Sequence, residues 1–237
     1  MRQYAIIGLS KFGKRMLEEL RPMNVEVLIV DKDSQTIEQY KSMATTAYIA
    51  DALNRSAIEK IIPNTLDAAV IDFGGKIEVS ILVTNYLKKI GIPEIIAIAE
   101  TDEQGEILEL VGATQIVFPN REAAKRITPI LVSSHLFNYL PISAGLVIAE
   151  IKVPKEYIGK TVVEASLRKK HGVNVIAIRK QNASDYEFFS PEYSFKGDDV
   201  FLAVGKEYDI NTFSDADMTL KRNGLSGIFL NLFSKRK

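Results

Sequence analysis

The 237-residue chain contains no cysteine and only two histidines, His135 and His171. The missing cysteine excludes disulfides, thiolate metal sites and a cysteine nucleophile, and suits a reducing compartment. Neither histidine lies within helical or loop spacing of a second metal ligand, which argues against a histidine-rich zinc site and against a Ser-His-Asp triad. Net charge is missing too: thirty basic residues balance thirty acidic ones. The chain therefore lacks the electrostatic footprint with which nucleic-acid binders neutralise phosphates, and no nucleic-acid partner is expected. No apolar run approaches the roughly 20 residues of a membrane span, and the opening MRQYAIIG has one early Arg before a strand-like run too short for a signal peptide. A cytoplasmic protein is expected. What the chain has in quantity is apolar residues, 46% of the total, enough at this length to bury a real core in one or two domains.

In the first half, short β-branched runs at 4–8, 25–31, 46–49, 68–73, 94–99 and 115–118 alternate with longer amphipathic segments. Phe12, Met16, Leu17 and Leu20 recur at helical spacing, as do Ile77, Ile81, Leu82 and Leu87, with charges on the other face. Repeated βα units whose strands are apolar on both faces predict a doubly wound, Rossmann-like parallel sheet covered by helices on each side.

The first of these turns reads IIGLSKFGKRM, a Gly8-x-Ser10-x-x-Gly13 pattern after an apolar strand. A glycine closing the strand allows a tight turn, and the helix beyond it aims unpaired N–H groups and partial positive charge at whatever sits there, which favours phosphate. Serine stands where the middle glycine of a dinucleotide turn normally lets a pyrophosphate approach the backbone. Its hydroxyl is a potential donor to a phosphate oxygen. The second strand ends at Asp31, near the offset at which a carboxylate receives ribose hydroxyls. Strand, turn, helix and Asp31 together predict a nucleotide site, against the plainer reading in which both glycines serve packing and Asp31 caps a turn. The nucleotide stays open among ATP, ADP and a nicotinamide dinucleotide, NAD or NADH.

The pattern changes between Pro129 and Pro141. Beyond it, 146–153 and 173–179 read as strands around a helical segment 161–170, and 199–204 as a last strand, which predicts a smaller α+β domain. The expected division is a nucleotide-binding domain over 1–134, a linker over 135–143, a ligand-binding domain over 144–210 and a tail over 211–237. In the tail, Ile228, Phe229, Leu230, Leu232 and Phe233 precede Lys235-Arg236-Lys237. It reads as a helix folded back on the protein, with a membrane surface or a partner as the alternative. Ile158-Gly159-Lys160-Thr161 ends like a phosphate loop, but Pro154 occupies the position of its first glycine and the motif is rejected. Asp102, Glu103 and Glu106 read as a solvated helix start rather than a metal loop. No acid–base pair suited to hydride chemistry stands out, and no catalytic residue or metal ligand is assigned.

Five stretches of the first half, GLSKFG, LIVDKD, YIADA, VIDFGGKIEVS and AETDEQGEILELVGATQIVFPN, together with IGKTVVEASLRKKHGVNVIAI and FKGDDVFLAVG in the second, resemble the RCK (TrkA/KtrA-type) regulatory subunits of potassium channels and transporters. The likeness runs in order over about residues 1 to 210. It implies a non-enzymatic cytoplasmic gating subunit, held at the inner face of the cell membrane by a membrane-embedded potassium channel or transporter and assembled as homodimers into an octameric ring. An NAD-dependent oxidoreductase is the alternative function, and a freestanding nucleotide-storing or signalling protein a third.

By this resemblance the phosphate loop falls on Gly8, Leu9, Ser10, Lys11, Phe12 and Gly13, and the ribose carboxylate on Asp31 with Lys32 beside it. Contacts after the third strand fall on Asp51 and Ala52, and after the fourth on Phe73, Gly74 and Gly75. Lys11 matches the basic residue that, in the KtrA-like branch, meets the terminal phosphate of ATP across the dimer interface. That points to ATP and ADP as ligands. Two positions depart from the family pattern: Ser10 replaces a glycine, and Asn120 stands where a glutamate binds a cation beside the nucleotide. In the second domain, Val162, Leu167, Arg168, Asn174 and Pro191 match a pocket across the two-fold axis that binds cyclic di-AMP. Left to themselves, Arg168 reads as part of a charged helix face with Lys169 and Lys170, and Asn174 as the end of the turn after Gly172.

Overall fold

A computed structural model describes residues 1–214; the tail beyond, with the expected back-folded helix, lies outside the described residues. The chain divides into two units, residues 1–122 and the residues from 123 onward.

In the first unit, strands β1 (Arg2–Ile7), β2 (Val25–Asp31), β3 (Thr46–Ile49), β4 (Ala68–Ile71), β5 (Glu94–Ile98) and β6 (Gln115–Val117) alternate with helices. The helices are α1 (Lys11–Leu20), α2 (Ser34–Tyr40), α3 (Arg55–Ile61), α4 (Ile77–Ile90) and α5 (Asp102–Val111). All neighbouring strands pair in parallel in the order β3-β2-β1-β4-β5-β6. The Rossmann-like sheet anticipated from the alternation is present. Period-two side-chain alternation divides the core between the two faces: Ala5, Ile7, Val30, Ala69 and Ile71 pack with Val83, Leu87 and Leu108 on one side, while Ile6, Val27, Ile29 and Val70 pack with Leu17 and Ile37 on the other. Each buried Val, Leu or Ile among them contributes about 1.5–3 kcal/mol by leaving water. Helix starts are fixed by local chemistry. Asp33 accepts the N–H groups of Gln35 and Thr36 ahead of α2, Asn54 accepts Ala57 N–H ahead of α3, and Thr101 accepts Gln104 N–H ahead of α5. Asp102 and Glu103 open α5 as solvated first-turn residues.

Helix α6 (Pro119–Val132) carries the chain from one unit to the next. The second unit contains β7 (Leu136–Ser143), β8 (Leu146–Lys152), helices α7 (Val162–Ala165) and α8 (Leu167–His171), then β9 (Asn174–Lys180), β10 (Asp199–Lys206) and α9 (Glu207–Ser214). Its sheet is antiparallel in the order β7-β8-β10-β9. Leu136, Tyr139, Ile151, Ile178, Phe195, Phe201, Ile210 and Phe213 belong to its core. Two expectations differ here. The segment expected to be a linker, 135–143, is nearly all strand β7, an edge strand whose pairing is irregular beside Pro141; a proline is tolerated there because one side of the ladder has no strand partner among the described residues. The helix expected over 161–170 is two short helices broken at Ser166, whose φ of 47° is left-handed. Neither Gly nor Pro marks that break.

Candidate functional site

The strand order of the parallel sheet reverses between β1 and β4, and in open sheets of this kind the crevice for a ligand opens there, beyond the C-terminal ends of the strands. The chain leaving β1 turns at Gly8, whose N–H donates to Val30 carbonyl at 2.8 Å. Its φ is 83°, and a Cβ there would stand 2.3 Å from the Asp72 carbonyl oxygen, so only glycine fits. Gly13, in the first turn of α1, lies so close to the turn that a Cβ would meet Gly8 O at 2.9 Å.

Ser10 precedes α1 with extended backbone but does not cap it. Its Oγ donates instead to Asp72 Oδ2 at 2.6 Å, and Gly13 N–H donates to the same oxygen at 2.7 Å. Gly74 N–H donates to Asp72 Oδ1 at 3.2 Å. Asp72 is only 2% exposed, and its carboxylate accepts from three donors. The expected role of the Ser10 hydroxyl, donating to a phosphate, is therefore revised: its proton goes to a carboxylate of the chain itself. Among the described residues, no acceptor meets the N–H groups of Ser10, Lys11 and Phe12.

Across β1, Asp31 Oδ2 accepts Leu9 N–H at 2.7 Å and its Oδ1 accepts Asp33 N–H at 2.9 Å. Each carboxylate oxygen keeps a second lone pair for a ribose hydroxyl. Asp51 Oδ1 accepts Leu53 N–H at 3.0 Å, holding the turn after β3. Nearby, the Thr36 hydroxyl and the backbone N–H groups of the α2 start hold the exposed Asp33 carboxyl below its usual range.

Of the residues singled out from sequence, Leu9, Ser10, Asp31, Lys32, Asp51, Ala52 and Phe73 line one cleft of about 190 Å³. Gly8, Lys11, Phe12, Gly13, Gly74 and Gly75 do not line it; Gly8 and Gly13 act on the turn through their backbone. Asp72, Lys76, Ala50, Leu53 and Val79 line it as well and were not singled out. A signal for Asp72 was there: an acidic residue immediately after the wholly apolar, wholly buried β4.

In the second unit, Val162, Leu167, Arg168 and Asn174 share an open concavity of about 500 Å³ with Ser166, Lys169, Val173 and Val175. Pro191 does not line it; its carbonyl accepts Val163 N–H at 3.4 Å. Arg168 is exposed and makes no ion pair among the described residues, and the Asn174 amide donates to Val204 carbonyl at 3.5 Å. Asn120 is exposed near the start of α6. Among the described residues, no three or more His, Asp or Glu side chains gather as a metal site would require, and no helix is long and apolar enough to cross a membrane.

Comparison with known proteins agrees with this architecture. Residues 4–119 match the TrkA-N domain and residues 146–216 the TrkA-C domain. Ktr system potassium uptake protein C of Bacillus subtilis (strain 168) is 30% identical over 212 residues, covering 90% of this chain and 96% of that protein. Ktr system potassium uptake protein A of the same organism is 29% identical over 217 residues, covering 92% and 97%. Among solved structures, the GsuK RCK domain aligns with a TM-score of 0.59 at 16% identity over 90% of this chain and 47% of its own, so the chain spans about half of that longer one. The GsuK channel bound to NAD aligns with a TM-score of 0.60 at 15% identity, a likeness of fold. The relatives are potassium uptake proteins rather than dehydrogenases. With a TrkA-N module followed by a TrkA-C module, and a relative matched almost end to end, the chain belongs to the Ktr family of potassium uptake proteins.

Proposed function

We propose that this chain is a cytoplasmic gating subunit, which binds an adenine nucleotide through its TrkA-N half and thereby controls potassium flux through a separate membrane-embedded channel. The observation that carries the reading is the cleft at the β1/β4 switch point, with the Asp31 carboxylate on one side and the unpaired N–H groups of Ser10, Lys11 and Phe12 on the other. One end suits ribose hydroxyls and the other phosphate. At about 190 Å³ the cleft falls short of the roughly 300 Å³ at which ligand pockets begin, which suits a site shared with a second copy of the chain. Lys11 is exposed and does not line its own cleft, which suits a lysine that reaches the terminal phosphate held by a neighbouring subunit of an octameric ring of dimers.

A ligand shifts a two-state assembly only through its differential affinity for the two states, so ATP and ADP must differ in one contact, which this reading assigns to Lys11. The test is potassium flux in proteoliposomes holding a Ktr-type membrane subunit and this chain. ATP and ADP should act differently on the wild type and alike on Lys11→Ala, whereas an ATP-specific effect retained in the variant counts against the mechanism. NAD is the rival ligand of the same cleft.

A second reading concerns the TrkA-C half. Its concavity combines an exposed, unpaired Arg168 with the left-handed Ser166, a strained backbone position of the kind that gathers at ligand sites. Cyclic di-AMP, with two phosphates and two-fold symmetry, fits a pair of such surfaces across a dimer axis. One molecule should bind per dimer in calorimetry, unaffected by Asp31→Ala and lost in Arg168→Ala. Absence of binding at micromolar concentration would leave this half as a dimerisation module.

A further inference from the structure

Two side chains that line the cleft, Asp72 and Lys76, have no part in the nucleotide contacts argued so far. The sheet order puts Asp31 and Asp51, after β2 and β3, on one side of β1, and Asp72 and Lys76, after β4, on the other. A nucleotide whose ribose rests on Asp31 thus runs over the start of α1 toward β4, and whatever follows its first phosphates arrives beside Lys76. The turn carrying Lys76 is close to the phosphate loop, since a Cβ on Gly74 would lie 3.3 Å from Ser10 Cβ.

Asp72 alters what that loop can offer. It engages the Ser10 hydroxyl and the Gly13 N–H, two of the donors an anion would use, and sets a carboxylate beneath the helix start. A phosphate arriving there meets fewer donors and a like charge. Lys76 supplies the compensating cation. Its side chain is exposed to the cleft and makes no ion pair among the described residues, and Glu100, whose carboxylate stands beside Gly75, does not pair with it. It stands immediately ahead of α4, whose N-terminus adds partial positive charge on the same side.

We infer that Lys76 sets the ligand class of the cleft, holding the terminal phosphates of ADP or ATP and disfavouring an oxidised nicotinamide dinucleotide, whose cationic ring would lie on the same side of β1. This rests on the nucleotide reading above. It assigns the phosphate end to a lysine of the same chain as the ribose carboxylate, in addition to Lys11 of a neighbour.

The test is calorimetric titration, with competition for weak ligands, of ATP, ADP, adenosine and oxidised NAD into the full-length wild type, Lys76→Gln and Lys76→Arg. Loss of one charge-assisted contact should weaken ATP and ADP by about tenfold or more in Lys76→Gln. Adenosine should change by less than about twofold, NAD should hold or tighten, and Lys76→Arg should restore most of the ATP affinity. Wild-type ATP affinity in Lys76→Gln overturns the inference while leaving the nucleotide reading intact. So does an equal loss for adenosine, which would mark Lys76 as structural. A wild type that binds none of the four ligands overturns the nucleotide reading itself and the inference with it.

Discussion

The two units handle polar groups in opposite ways. In the first, donors and carboxylates collect at one edge of a parallel sheet and keep capacity for a ligand: Asp31 holds the turn with lone pairs to spare, and the N–H groups of Ser10, Lys11 and Phe12 face no acceptor among the described residues. In the second, the buried or half-buried charges of the antiparallel sheet are paired within the unit. Asp199 is 0% exposed and accepts from Lys180 at 2.6 Å, the Tyr193 hydroxyl at 3.0 Å and Lys196 N–H at 2.8 Å. Arg179 donates to Glu150 at 2.5 Å, to the Tyr186 hydroxyl and to three backbone carbonyls. Burial pushes the Glu150 carboxyl up, but hydrogen bonds from Arg179 and Tyr186 outweigh it and hold the carboxyl below its usual value. In parallel βα units the strand ends and helix starts of successive units converge, so unsatisfied chemistry gathers at one edge. Hairpin-linked strands have no such edge, and the candidate site of the second unit is correspondingly open and shallow.

The contrast is broken most severely at Gly8. Alanine there must adopt a left-handed φ and place its Cβ against the Asp72 backbone, so Gly8→Ala should cost on the order of 3 kcal/mol or more. Hydrogen exchange should show the loss confined to the first unit, together with loss of nucleotide binding. Equal loosening of both units would contradict their separate cores.

Removing the central carboxylate of the second unit should come next. Asp199→Ala strands the Tyr193 hydroxyl and Lys196 N–H, while the partly exposed Lys180 rehydrates, for about 2–4 kcal/mol in the second unit. Nucleotide affinity should stay at the wild-type value, and a change beyond about threefold would show that the site is not confined to the first unit.

The smallest effect is expected at Ser166. Glycine relieves the left-handed strain but adds freedom to the unfolded chain, so Ser166→Gly should stabilise the second unit by about 0.5 kcal/mol at most, read from denaturant midpoints. A loss of more than about 1 kcal/mol would mean that the serine side chain matters more than its backbone.

The sequence was most legible where one rule acts alone. Strands β2 and β3 have the expected bounds because β-branched runs end at abrupt polar turns, and Asp31 was recognisable because its offset from the glycine turn is set by βα geometry. The acidic residue after the buried apolar β4 marks Asp72 as unusual, but its bond to Ser10, sixty-two positions earlier, and the place of Lys76 on the same cleft are long-range relations that no local pattern carries. Strand β7 was hidden by Pro141 and by exposed apolar residues such as Leu140 and Ile142, which blur the alternation of an edge strand. The break at Ser166 was invisible because a serine does not announce a positive φ.

The central claim, that the β1/β4 cleft of the first unit is a nucleotide site, is tested most directly by titrating ATP, ADP and NAD into the full-length protein and its Asp31→Ala variant. Asp31 also accepts the N–H groups of Leu9 and Asp33, so the variant should lose about 1–3 kcal/mol of stability yet remain folded. The account predicts saturable binding to the wild type and a loss of affinity of roughly ten- to a hundredfold in the variant, the loss of one or two charge-assisted hydrogen bonds to ribose. Undiminished affinity in a folded Asp31→Ala variant, or no binding of any of the three nucleotides to the wild type, would contradict it.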